Sequence, residues 1–194
     1  LQTGKTEEAL KTYNRIMEIE PENIDILLSA ASICFMEENY TAMNELCHKA
    51  INIDENNRSA LYLSAKAERG LKNHIQSLVM LTKAIKADED FKEAYLLRAE
   101  VLWDMRQAKE ALEDLETVLS KEEDNEEAIL LKGEIMAVTG NDDEAVSCMD
   151  KVLSINPFNE KAYIIKAAIS IQAKEFDKAL DIYNEALDLI PDNA

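Results

Sequence analysis

Apolar residues recur along this chain at helical spacing in short blocks, and turns rich in Asn, Asp, Glu and Pro separate the blocks. The clearest block pair is Glu126 to Asn159, EEAILLKGEIMAVTGNDDEAVSCMDKVLSINPFN. It reads as one helix, a Thr-Gly-Asn-Asp turn, a second helix and an Asn-Pro-Phe-Asn turn. Laid along the sequence, this unit recurs in both directions without gaps. The pattern predicts helices over about 5–19, 24–36, 40–53, 58–71, 74–87, 92–105, 108–120, 126–138, 142–155, 160–173 and 176–189, and no strand.

The period is 34 residues. Ala9, Met43, Ser77, Ala111, Ala145 and Ala179 form one column. Ala31, Ala65, Ala99, Gly133 and Ala167 form a second, and Ile16, Ala50, Ala84, Val118, Val152 and Ala186 a third. A fourth holds Met17, Ile51, Ile85, Leu119, Leu153 and Leu187. A fixed period in this range marks an array whose units bury their apolar faces against their neighbours. Small residues in two columns predict helix pairs in close approach. Asn23, Asn57, Asn125, Asn159 and Asn193 share a turn column where a side chain can cap a helix N-terminus. Asn39, Asn73 and Asn141 stand in the shorter turn inside each unit, and connections this short make neighbouring helices antiparallel.

These columns, with Pro21, Pro157 and Pro191 closing their units, resemble the tetratricopeptide repeat family over the whole chain. The resemblance implies an all-α fold, a right-handed superhelical solenoid of antiparallel helix pairs. A single array over 1–194 is expected, with a half repeat at 1–23 and full repeats at 24–57, 58–91, 92–125, 126–159 and 160–193. The start at Leu1-Gln2-Thr3-Gly4, already late in a repeat, reads as part of a longer protein. Tyr183, Ala186, Leu187 and Ile190 would leave an apolar strip for a further helix or a second copy.

Composition narrows the function. The chain is 47% hydrophobic and 31% charged, with a net charge of -18, which disfavours nucleic acid and anionic membrane surfaces as partners. No apolar run is long enough to insert into a membrane. Three scattered cysteines without a C-x-x-C pair favour a reducing compartment, and a cytoplasmic location is expected.

Candidate chemistry is sparse. In the second unit Met43 takes a small-residue slot, flanked by Cys34 and Cys47 where other units hold larger side chains. The pair reads as small buried hydrophobes that conserve core volume, with a redox pair as the alternative. Cys148 stands alone. His48 and His74 lack neighbours at ligand spacing, and the acidic run at 121–127 lacks the glycine and spacing of a calcium loop. No catalytic residue, cofactor or metal site is expected.

One pattern exceeds a solvated surface. Around the first helix of the fourth unit, Ala94, Tyr95, Arg98, Ala99, Val101 and Leu102 form the core arc. The opposite arc holds Glu93, Leu96, Leu97, Glu100, Trp103 and Asp104, and its apolar members repeat in other units. The family resemblance implies that first helices line a groove for partner peptides. It places Leu28, Phe35, Tyr62, Lys66, Arg69, Leu96, Glu100, Trp103, Leu130, Glu134, Ile164 and Ile171 there. The family's best-known site grips a C-terminal carboxylate with Lys, Asn and Arg. The matching slots here are Leu28, Ser32, Leu63, Glu93 and Leu97, so that activity does not carry over. Glu93, Glu100, Asp104, Glu127 and Glu134 make the groove acidic, with Lys66 and Arg69 as the basic exception.

The expected function is a non-enzymatic scaffold holding an apolar, possibly basic peptide or helix of a protein partner. Alternatives are a structural module that self-associates through uncapped ends, and the substrate-recruiting arm of an enzyme lying outside this sequence.

Overall fold

In the computed structural model, which describes residues 11–13 and 15–190, the apolar blocks are helices. The chain divides into two units, residues 1–106 and 107–194. In the first, helical residues at 11–13 and 15–19 precede α1 (Ile24–Met36), α2 (Tyr40–Ile53), α3 (Arg58–Gly70), α4 (His74–Ala87) and α5 (Lys92–Asp104). In the second lie α6 (Ala108–Lys121), α7 (Glu126–Thr139), α8 (Asp142–Ile155), α9 (Glu160–Gln172) and α10 (Phe176–Leu189). No strand occurs among the described residues. Ends from 24 onward fall within one residue of those read from the sequence. The expected helix start at 5, Ala9, Pro191 and Asn193 lie outside the described residues.

The helices begin and end by repeated local chemistry. Asn23, Asn57, Asn125 and Asn159 accept hydrogen bonds from the backbone N–H of Ile26, Ala60, Ala128 and Ala162, satisfying a donor that the first helical turn leaves open. Each first helix ends on a residue with positive φ: Glu38 (54°), Lys72 (64°), Arg106 (63°), Gly140 (84°) and Lys174 (63°). That column was not read from the sequence, because only one of its five members is glycine. The left-handed residue turns the chain so that two N–H groups reach back to the last helical carbonyls. Lys72 donates to Arg69 and Asn73 to Glu68, Gly140 to Ala137 and Asn141 to Met136, Lys174 to Ile171 and Glu175 to Ser170.

Packing follows the small-residue columns. Every described member of the Met43 column and of the Ala31 column is buried. Consecutive helices pack within each unit, and so do alternate first helices: α1 on α3 and α3 on α5 in one unit, α7 on α9 in the other. Among the described residues α2 does not pack on α4, nor α8 on α10. First helices therefore crowd together on one side of each unit, and second helices splay on the other. At Gly133 an added Cβ would collide with the methyl of Met149 and lie 2.8 Å from Cβ of Cys148, so the glycine makes room for the larger core residue. Met43 is itself fully buried, in a cluster with Ala31, Cys34, Cys47 and Ala67. Cys34 and Cys47 supply the volume that it takes up.

The left-handed column gives a direct test. A non-glycine residue in this conformation costs about 1–2 kcal/mol, and a Cβ at Gly140 would meet nothing within 4 Å. Lys174→Gly should therefore stabilise the protein by about 1 kcal/mol and Gly140→Ala should destabilise it by a similar amount, read from urea midpoints.

Candidate functional site

In the unit of residues 1–106, α1 carries Leu28 and Phe35, α3 carries Tyr62, Lys66 and Arg69, and α5 carries Leu96, Glu100 and Trp103. None of these eight is buried. Phe35 is exposed and the rest are half-buried. Leu97 is a correction to the sequence reading: it is 6% exposed and belongs to the core with Leu61, Leu81 and Val101. The α3–α5 approach draws it inward. Part of the apolar stripe also supports the core, since Leu28 and Tyr62 pack on buried clusters.

The aromatic and basic side chains of this face form a line. Tyr40 and Phe35 rings lie 6.2 Å apart. The Lys66 ammonium sits 4.1 Å from the Phe35 ring centre and 5.8 Å from that of Tyr62. Tyr62 and Phe91 rings lie 5.2 Å apart, and the Arg58 guanidinium stands 5.2 Å from the Phe91 ring. Cations over ring faces at these distances are held electrostatically. Arg69 reaches from α3 to α5, pairing with Glu100 and, at 2.9 Å, with Asp104. Trp103 is flanked by the Arg106 guanidinium, 5.4 Å from its ring. A cleft of about 310 Å³ is lined by Phe35, Tyr40, Lys66, Arg69, Gly70, Lys72, Leu97 and Asp104. Gly70 shapes its wall: the Tyr40 ring lies so close that a Cβ would come within 2.5 Å of it.

In the unit of residues 107–194, Leu130 and Glu134 lie on α7, and Ile164 and Ile171 on α9. Leu130 is half-buried against the Ile129–Met149–Val152 core, while Ile164 is 56% and Ile171 45% exposed. Lys161 pairs with Glu134 at 2.5 Å. Beside α10, Tyr163, Ile164, Tyr183, Ala186, Leu187 and Ile190 line an open apolar cleft of about 400 Å³.

Glu100 and Glu134 thus have cations of the chain beside them. They attract a basic partner less than the sequence count of acids implies. A feature missed by the sequence reading is a buried polar network between α2, α3 and α4. Glu68, only 6% exposed, accepts hydrogen bonds from the side-chain amides of Asn44 and Asn73, each at 2.8 Å, and Ser64 donates to Asn44. The signal was present: Asn44 stands in a column otherwise held by Leu78, Leu112, Val146 and Leu180.

Helix pairs with small-residue seams and one crowded side define an all-α repeat protein of the interaction-scaffold type. Family models described as tetratricopeptide repeat match residues 102–169 and 160–193. The chain is a tetratricopeptide repeat protein, from a family whose members bind protein partners and are typically non-enzymatic. Among solved structures it is similar to Pseudomonas aeruginosa pilF, with TM-score 0.82 and 18% identity over 98% of this chain and 87% of the other. MamA from Desulfovibrio magneticus RS-1 gives TM-score 0.79 and 16% identity over 88% and 96%. YrrB, described as a tetratricopeptide repeat protein with an unusual peptide-binding site, gives 0.72 and 22% over 93% of each chain. At these identities the likeness is one of fold. No helix of the described residues is long and apolar enough to cross a membrane.

The cysteines complete the inventory of reactive groups. Cys34 and Cys47 are free and buried, and Cys148 is free and half-buried. Burial, with a smaller contribution from Cys34, pushes the Cys47 thiol up to about 12 from an ordinary 9.0, and burial also raises Cys34 and Cys148. Raised thiols are poor nucleophiles, so native labelling of Cys34 and Cys47 should be slow and become fast in denaturant. A folded-state value above the unfolded one stabilises fully below pH 9 and is lost as pH rises toward about 12. Cys47→Ala should therefore lose stability less steeply over that window, by up to ~1.4 kcal/mol per pH unit.

Proposed function

We propose that the chain is a non-enzymatic scaffold that holds an apolar segment of a partner protein, as a helix or an extended peptide, against the first-helix face of residues 24–104. The observation that carries the reading is the set of large side chains on that face that stay half-buried or exposed: Phe35, Tyr62, Leu96 and Trp103. A solvated face would carry polar residues there. Aromatic side chains of this kind are the usual anchors of protein interfaces. In the second unit Leu130, Ile164 and Ile171 are large apolar side chains of the same kind on α7 and α9. The peptide-binding description of YrrB supports the general mode.

The charge preference follows from which acids are engaged. Arg69 holds Glu100 and Asp104, and Lys161 holds Glu134. On that face, exposed Glu93 is the member of the acidic set that would meet basic residues of the partner. Free thiols in the core suit a reducing, cytoplasmic setting. A second reading, self-association, is favoured by the open apolar cleft beside α10, and light scattering over a concentration series separates it from partner capture.

Trp103 is the test residue, because it is the only tryptophan and its emission reports this face alone. With a peptide selected on the protein from a random library, the emission should shift to the blue on binding. Trp103→Ala should weaken that peptide about thirtyfold, or ~2 kcal/mol, with little change in melting temperature. A stability loss of about 3–5 kcal/mol with unchanged peptide affinity would instead make Trp103 a core residue and remove the proposed face.

A further inference from the structure

The first unit holds a positively charged cleft inside a chain of net charge -18. Four charged side chains line it: Lys66, Arg69, Lys72 and Asp104. Asp104 is bound to Arg69, and the nearby Glu100 is bound to the same guanidinium. Lys66 and Lys72 have no ion pair among the described residues. The Lys66 ammonium is instead seated against Phe35 and Tyr62, so that aromatic faces hold its position without neutralising it. Phe35, Tyr40 and Leu97 give the cleft apolar walls.

A half-buried ammonium fixed by two rings beside an open volume is a prepared partner for one anionic group. Its charge is positioned before the ligand arrives, so little rotamer entropy is lost on pairing. Partial burial strengthens the pairing relative to open water. The distant acids of the chain oppose an anion only weakly at physiological ionic strength, where screening acts over about 8 Å. Apolar walls beside the ring-seated Lys66 ammonium suit a short carboxylate side chain flanked by apolar residues. They do not suit a polyanion, which the rest of the surface would repel.

From this cleft we infer that the face takes a segment with an internal Asp or Glu set between apolar residues, the carboxylate bound by Lys66. The inference rests on the docking face proposed above and names the chemistry at one point of it. The slots that would grip a C-terminal carboxylate in related proteins are different positions and carry no suitable donors here.

The test is selection of random 12-residue peptides displayed on phage against the full 194-residue chain, its K66Q variant and its K66E variant. Circular dichroism melts check that each variant is folded, and K66Q alone carries the comparison if K66E is not. The wild-type chain should select an acidic residue at a fixed position between apolar residues. K66Q should lose that preference, and K66E should replace it with Lys or Arg. A selected peptide made with Glu→Gln should bind the wild-type chain about tenfold more weakly. It should bind K66Q with nearly unchanged affinity, whether its C-terminus is free or amidated. An apolar consensus without an acid, or an acidic preference that survives in K66Q, would overturn the Lys66 assignment and leave the docking face standing. Absence of any consensus on the wild-type chain would overturn both.

Discussion

Two helices come only as close as the side chains between them permit, and that limit governs this structure. The columns of Ala31, Ala65, Ala99, Gly133 and Ala167 and of Ser77, Ala111, Ala145 and Ala179 keep the seams within repeats narrow. Where a seam carries more bulk, something beside it carries less. Met43 is accommodated by Cys34 and Cys47, and Met149 by Gly133. Interiors packed to crystal-like density admit such exchanges only when total volume is held. Ser77 shows the same economy with a polar group: it is fully buried and donates to the carbonyl of Ala65, so its own hydroxyl is satisfied.

The close seams have a consequence for the surface. Because α3 also touches both α1 and α5, the outward faces of the three form one continuous side of the first unit. Side chains there are neither core nor solvated surface. Most are half-buried by their neighbours, and Phe35 is exposed. That intermediate state explains the ordering of Tyr40, Phe35, Lys66, Tyr62, Phe91 and Arg58 into a line of rings and cations. It also explains why Arg69 can bridge from α3 to two acids of α5. Such a bridge near the surface adds modestly to stability, but it fixes which charges remain for a partner.

The helix boundaries were legible in the sequence because a 34-residue period lets each unit correct the reading of the next. The caps at Asn57, Asn125 and Asn159 were legible for the same reason. Asn73 was not: its side chain turns away from the cap to bind Glu68, a choice set by a buried partner in three dimensions. Leu97 was misplaced because a helical wheel divides a helix into two arcs, whereas α5 meets neighbours on more than one side. The engagement of Glu100 and Glu134 by Arg69 and Lys161 lay beyond a sequence reading, since each pair joins helices about a repeat apart. A count of acids could give the sign of the face but not the charge left over.

Under the proposed function, the crowded first-helix side of residues 24–104 receives the partner while the second helices only support it. Amide hydrogen exchange, followed by mass spectrometry on the free protein and with a selected peptide bound, tests this most directly. Bound peptide should add protection over α1, α3 and α5, with α2 and α4 exchanging as before. Protection that appears on α2 and α4 and spares the first helices would contradict it.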